Sequence, residues 1–351
     1  MTVMTSPKTM RVVALNISET KGVPKNPIPS ATFVRNHGIL KDAHAGDTAR
    51  QVSLLSLESI RTMEKRLNTT LGFGRFAENV VVDGSLHGIR PKDIIAIGND
   101  VVLEVTVIGK ECHNACPIRL QTGDCIMPRE GIFARVVASG TVRPGDEVRI
   151  FRSSDLAVVL LAGGKSIRFG SDKRFALLPD GRTWLDSAIF KALELSEDVL
   201  VSVGAHEIEK TDGKVRFIPD KVASRGPLGG LVTCLERSFA NFVIVFPVDQ
   251  TQITSDLLRV LATKLRGAGV CFEQNGVIEP FPCVLNRKAV LSGLQHALDE
   301  GILSMKDAMK SVGLALCSTE RLRELGDPSR LLSNWNTQED VALGLHHGGT
   351  V

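Results

Sequence analysis

The stretch LAGGKSIRFGSDK, from Leu161 to Lys173, follows the apolar run LAVVL and holds the residue types a phosphate binder needs. Gly163, Gly164 and Gly170 have no side chain to keep a ligand away from the backbone. Main-chain N–H groups can then face an anion, and Arg168 and Lys173 add fixed positive charge to the same loop. That set suits a triphosphate and points to nucleotide chemistry; the alternative is a Gly-rich turn that simply joins a strand to a helix, against which the thirteen-residue length and the two cations weigh. Two carboxylates complete the inventory. RFIPD ends at Asp220, shortly before GPLGGL, and NFVIVFPVD ends at Asp249, behind an apolar run. A carboxylate there can hold Mg²⁺, a hard cation that binds through one or two such groups together with substrate phosphates. Asp249 is the predicted metal ligand. Its competing role is to cap the helix expected over TQITSDLL.

Two familiar glycine motifs are excluded. GxxxxGK[ST] would require glycine at position 159, which is Val159, and GxGxxG fails because Gly163 and Gly164 are adjacent and the next glycine is Gly170. A second cluster of reactive types precedes them: Cys112, His113, Cys116 and Cys125. As a zinc site the set is incomplete, with one Cys pair, one adjacent His and one distant Cys where paired spacing is needed. A reactive cysteine fits better, since Lys110, His113 and Arg119 stand close enough in sequence to lower a thiol pKa. Buried, inert thiols are the alternative. Asp42, His44 and Asp47 form a polar turn read as surface structure, able to neighbour that thiol.

These residues need elements to hold them. A length of 351 residues, 43% hydrophobic and 23% charged, suits two globular domains, and the pattern changes near residue 150. The expected division is 1–152 and 153–351. The first part carries short β-rich segments, MRVVALNIS, RQVSLLS, ENVVVDG and VVLEVTVIG, and one helical run, LESIRTMEKRLNTT. The second alternates strand and helix from LAVVLLAGG to SDLLRVLATKL, which implies parallel strands covered by helices, with ligands at the strands' carboxyl ends. A net charge of +3, few aromatics and no tyrosine argue against a nucleic-acid groove. No leader or membrane-spanning run is evident, so a cytoplasmic location is expected. Seven cysteines, an odd number, read as reduced thiols, with Cys234, Cys271, Cys283 and Cys317 in the core.

Residues 156–351 resemble the molybdenum cofactor guanylyltransferases. LAGGKSIRFGSDK is similar to that family's LAGGxSxRMGxDK, RFIPD and GPLGGL to its aspartate and GPLAG segments, and NFVIVFPVD to its strand ending in PCD. GVIEPFPCVLNR and NWNTQED, from Asn334 to Asp340, are similar to its later segments. The resemblance implies a Rossmann-like, mostly parallel α/β domain that transfers GMP from GTP to molybdopterin carrying molybdenum, with release of pyrophosphate. It implies nucleotide contacts from Leu161, Ala162, Gly163, Gly164, Lys173, Ser202 and Asp220, with Asp249 touching both GTP and Mg²⁺. Arg168 and Lys173 would stabilise the charge that develops in transfer. Phe169, Ser202 and Gln250 depart from the family pattern. LAGG with DK is closer to the guanylyl than to the cytidylyl branch, which has LAAG with PK.

Residues 10–150 resemble a MOSC domain, the C-terminal domain of molybdenum cofactor sulfurases. HGILKDAHAGDTARQVSLLS is similar to its GxxGDxHxG and RQVSLL segments, and GFGRFAENVVVDG to its GxFGEN segment, with Lys41 in the place of a glycine. The resemblance implies a β-barrel that holds the molybdenum cofactor or carries sulfur, Cys116 being closest to the family cysteine and Cys112 next. It also implies molybdenum and pyridoxal phosphate binding, and a molybdoenzyme or sulfur donor protein as partner. Two other functions stay open: another nucleotidyltransferase, of cytidylyl or sugar-nucleotide type, and a non-catalytic carrier of the cofactor.

Overall fold

The computed structural model describes residues 10–109, 124–163, 172–204, 210–221, 225–274 and 276–335. The chain divides into two compact units, Met1–Arg152 and Ser153–Val351. Among the described residues no helix is long and apolar enough to cross a membrane.

The first unit contains β1 (Met10–Ile17), β2 (Asn26–Ile28), β3 (Ala31–Val34), β4 (Gly38–Ile39), β5 (Val52–Ser56), α1 (Leu57–Leu67), β6 (Val80–Val82), β7 (Ile94–Ile97), β8 (Val101–Ile108), α2 (Met127–Glu130), β9 (Ile132–Ala138), β10 (Gly140–Val142) and β11 (Glu147–Phe151). Seven strands close a barrel in the order β11-β7-β8-β9-β5-β6-β1, with β1 pairing back onto β11 at Met10 and Val148. Closure removes the free edges that short apolar strands would otherwise expose. Leu15, Leu54, Val80, Leu103 and Val136 fill the interior. β5 and β6 run parallel, which a hairpin cannot produce, and α1 supplies the crossover between them. The Ser56 hydroxyl caps α1 by accepting from the Ser59 N–H, and Ile60 and Met63 face inward. Lys41, at the expected glycine position, has φ of 66°, the left-handed region in which a glycine carries no Cβ penalty.

The second unit contains β12 (Leu156–Leu161), α3 (Trp184–Leu193), β13 (Val199–Ser202), β14 (Lys210–Asp212), β15 (Val215–Ile218), α4 (Gly226–Arg237), β16 (Phe242–Pro247), α5 (Ser255–Thr263), β17 (Gly269–Gln274), β18 (Val277–Asn286), α6 (Arg287–Asp299), α7 (Met305–Ser311), β19 (Ala315–Ser318) and α8 (Pro328–Leu331). One sheet has the order β14-β15-β13-β12-β16-β18-β17-β19, mixed but with β15, β13, β12 and β16 all parallel. Every residue of β12 and β13 is buried, because helices cover both faces of a parallel sheet. The chain runs outward from β12 to β13 to β15, then returns to place β16 on the other side of β12. That reversal opens a crevice at the carboxyl ends of β12 and β16. Cys234, Cys271 and Cys283 lie in this core, where burial pushes their thiols up, to about 11 for Cys271. Cys317 departs from expectation: it sits half-buried on the edge strand β19.

Candidate active site

Register alone aligns the predicted residues of the second unit. Leu161 of β12 stands level with Ser202 of β13 on one side and with Pro247 of β16 on the other, and Ser202 is level with Ile218 of β15. Gly163, Gly204, Asp220 and Asp249 therefore each lie two residues beyond the same edge of the sheet. The ladder continues past the strand ends, with Ala162 N–H donating to Ser202 O at 3.0 Å and Val248 N–H to Leu161 O at 3.2 Å. A Cβ on Gly163 would lie 3.1 Å from Gly204 N, a tight contact that the Gly204 backbone would have to yield to by a few tenths of an ångström.

Lys173 and Asp249 meet at the switch point. Lys173 Nζ donates to Asp249 Oδ2 at 3.4 Å and to the Trp335 carbonyl at 3.2 Å, while Trp335 N–H donates to the Asp249 carbonyl at 2.9 Å. Burial raises the Asp249 carboxyl above its ordinary value, outweighing the opposite pull of Lys173. The capping role is taken elsewhere: the N-cap of α5 is Thr254, whose side chain accepts from Leu257 N–H at 3.2 Å. One strand over, Ser202 Oγ donates to Asp220 Oδ1 at 2.9 Å, and burial again raises the aspartate above its usual range. Gly164 and Arg168 lie outside the described residues.

The first unit buries a charged cluster. Lys25 Nζ donates to Asp42 Oδ2 at 2.5 Å and stands 3.3 Å from His44 Nδ1, and Asn79 Nδ2 donates to the same Asp42 oxygen at 3.1 Å. Burial lowers the Lys25 pKa, with Asp42 pulling it back. Burial works against the Asp42 carboxylate, yet hydrogen bonds from His44 and Lys25 and the Lys25 charge overcome it and hold its pKa low. The turn at Asp42 is therefore interior structure and not the surface feature expected, although the His44 side chain remains 33% exposed. Glu78 is fully buried and accepts from Gly74 N–H at 2.6 Å and Phe76 N–H at 3.0 Å; burial nonetheless pushes its pKa up to about 7. Cys112, His113 and Cys116 lie outside the described residues, and Cys125 is a buried thiol.

Residues 158–312 match the MobA-like NTP transferase domain, and residues 41–149 match the MOSC domain. A protein of Syntrophotalea carbinolica named molybdenum cofactor guanylyltransferase is 28% identical over 187 residues, 52% of this chain and 88% of that one. A Pelotomaculum thermopropionicum protein named "Probable molybdenum cofactor guanylyltransferase" is 30% identical over 186 residues, again 52% of this chain and 88% of its own length. The chain belongs to the MobA-like NTP transferase family. This MobA-like transferase carries a MOSC domain ahead of its nucleotidyltransferase domain.

Three site residues of the MobA-like transferase escaped the sequence reading. Gly230, on α4, lies against the Ser202–Asp220 pair so closely that a Cβ would fall 2.2 Å from Ser202 Oγ and 2.9 Å from Asp220 Oδ1. The doubled glycine of GPLGGL was the available signal. Trp335 enters through its main chain, which leaves no mark on residue type. Lys25 has no motif around it, and only the barrel brings it to Asp42.

Proposed function

We propose that the nucleotidyltransferase domain transfers GMP from GTP to molybdopterin carrying molybdenum, forming the guanine dinucleotide cofactor and pyrophosphate. The convergence of Lys173 and Asp249 at the β12–β16 switch point carries this reading, and the names of the relatives support the choice of nucleotide and acceptor. In the reaction a terminal phosphate oxygen of the pterin bonds to the α-phosphorus of GTP. The bond from that phosphorus to the bridging oxygen of the β-phosphate breaks, and pyrophosphate leaves. Negative charge grows on the transferring and departing phosphates, so positioned positive charge lowers the barrier. Lys173 would supply it, with Arg168 and the loop N–H groups around Gly163 and Gly164.

Mg²⁺ fits the donor chemistry. Among the described residues no group of three His, Cys, Asp or Glu side chains forms a protein-only cage, and Mg²⁺ in nucleotide sites uses only one or two carboxylates beside phosphates and water. Asp249 offers a hard oxygen donor at the crevice. When bound there the ion would neutralise phosphate charge. Leu161, Ala162 and Ser202 would line the nucleotide side of the crevice, and Asp220, fixed by Ser202, would accept a hydrogen bond from the nucleoside.

For the MOSC domain the reading is binding of the same cofactor, or transfer of sulfur to it, with Cys116 as the reactive thiol. The buried Lys25–Asp42–His44 cluster, exposed only at His44, supports a polar site in that domain. Pyridoxal phosphate has no residue assigned to it among the described ones.

Incubating the protein with Mg²⁺, molybdopterin and each of the four NTPs, then measuring pyrophosphate and the adduct mass, tests the reading. GTP alone should give both products. Adduct formation with CTP and not GTP, or no pyrophosphate with any NTP, would overturn it.

A further inference from the structure

Gln250 follows Asp249 directly, and its side chain is almost fully buried, at 3% exposed. Its Nε2 donates to the Leu332 carbonyl at 3.2 Å and to the Phe281 carbonyl at 3.1 Å. Three residues beyond Leu332, Trp335 closes the loop, its N–H on the Asp249 carbonyl and its carbonyl accepting from Lys173. The segment Leu332–Trp335 is therefore tied at both ends to the dipeptide Asp249–Gln250. Lys191 Nζ donates to the carbonyl of Thr251, the next residue in the chain, at 2.6 Å. The Trp335 indole packs edge-on against Trp184, with ring centroids 6.1 Å apart, and Ala176, just after the turn that begins at Lys173, packs on the pair.

The amide does not serve packing well. Among the described residues Gln250 Oε1 is buried with no hydrogen-bond partner, a cost that an apolar side chain of similar volume avoids. The donors of this buried amide are both used on main-chain carbonyls, one on Phe281 of β18 and one on Leu332 of the segment carrying Trp335, so the side chain ties that segment to the sheet.

We infer that Gln250 is a positioning residue for nucleotidyl transfer: by latching Leu332 it holds the Trp335 main chain in place, and Trp335 in turn sets Lys173 against Asp249. This deepens the transferase reading and rests on it. The latch touches no substrate. It decides whether the ammonium of Lys173 and the carboxylate of Asp249 present themselves to the phosphates together.

The test is Gln250→Met in the full chain, read three ways. Thermal unfolding of the second unit should fall only modestly, since the unmet acceptor leaves along with the two donors while the Leu332 and Phe281 carbonyls each lose one donor. Deuterium exchange at the Trp335 amide should speed by about tenfold, the scale of one lost hydrogen bond. Turnover of GTP with Mg²⁺ should fall by about tenfold with KM for GTP little changed, as expected for an interaction that matters in the transition state and not in ground-state binding. Unchanged Trp335 exchange in the variant overturns the inference whatever the activity. So does parental turnover with faster exchange, or a drop in turnover that merely tracks lost stability. A parental protein that turns over no NTP instead overturns the transferase reading, and the role assigned to Gln250 falls with it.

Discussion

Trp335 and Asp249 are joined main chain to main chain, the Trp335 N–H donating to the Asp249 carbonyl at 2.9 Å, and the Trp335 carbonyl accepts from Lys173 Nζ. The cation and carboxylate assigned to phosphate chemistry are thus held by a backbone segment from the far end of the domain. Their side chains are also modestly exposed, 16% for Lys173 and 23% for Asp249, so both can reach a ligand in the crevice.

Removing the cation tests its place in the reaction. Lys173→Ala should lower turnover by about 10²- to 10³-fold, the usual effect of losing one positioned donor that stabilises developing charge. Steady-state pyrophosphate release, at saturating GTP, is the measurement. Unchanged turnover would remove Lys173 from the mechanism.

Asp249→Asn separates metal binding from folding. The amide keeps the shape, removes the charge that burial disfavours, and weakens the donor to Mg²⁺. Unfolding should be little altered, while the Mg²⁺ concentration for half-maximal rate should rise by about tenfold or more, one lost charged ligand being worth at least one hydrogen bond to an ion. A magnesium titration of the initial rate would expose a wrong assignment by leaving that midpoint in place.

Gly230→Ala should destabilise the second unit. Its new methyl would meet Ser202 Oγ and Asp220 Oδ1, and overpacking of this kind costs about 1–3 kcal/mol. Adding Ser202→Ala should restore part of the loss, because the closest clashing atom is then gone. Denaturant unfolding monitored by fluorescence suits the comparison, since both tryptophans, Trp184 and Trp335, lie in this unit. Additive losses in the double variant would show that the close approach is tolerated some other way.

The first unit should carry a pH signature from Glu78. Its native pKa, near 7, lies above the ordinary value of 4.5, so between those values the folded state binds more protons than the unfolded one. The Glu78 contribution to stability is then complete below about pH 4.5 and is lost as pH rises through about 7. Opening free energies of the β6 amides, Val80–Val82, from hydrogen exchange should decline over that window and flatten in Glu78→Gln. Parallel profiles for the two proteins would place the proton elsewhere.

Much of this architecture could be read from residue order. The apolar runs of β12, β13 and β16, with helical runs between them, dictated parallel strands, because only strands covered on both faces lack polar alternation. Asp249 was singled out for the same reason: a carboxylate can follow such a run where the strand leaves the core. The helical run at LESIRTMEKRLNTT likewise marked α1, whose buried Ile60 and Met63 stand at helical spacing.

Closure of the barrel by β1 and β11, the descent of Asp42 into a buried ion pair with Lys25, the approach of Gly230 to Ser202 and the Trp335 bridge came only with the tertiary structure. Periodicity and turn chemistry report on neighbours a few residues apart. These contacts join segments far apart in sequence, several of them through main-chain atoms that every residue shares, so side-chain identity carries no trace of them until the sheet sets the chain in place.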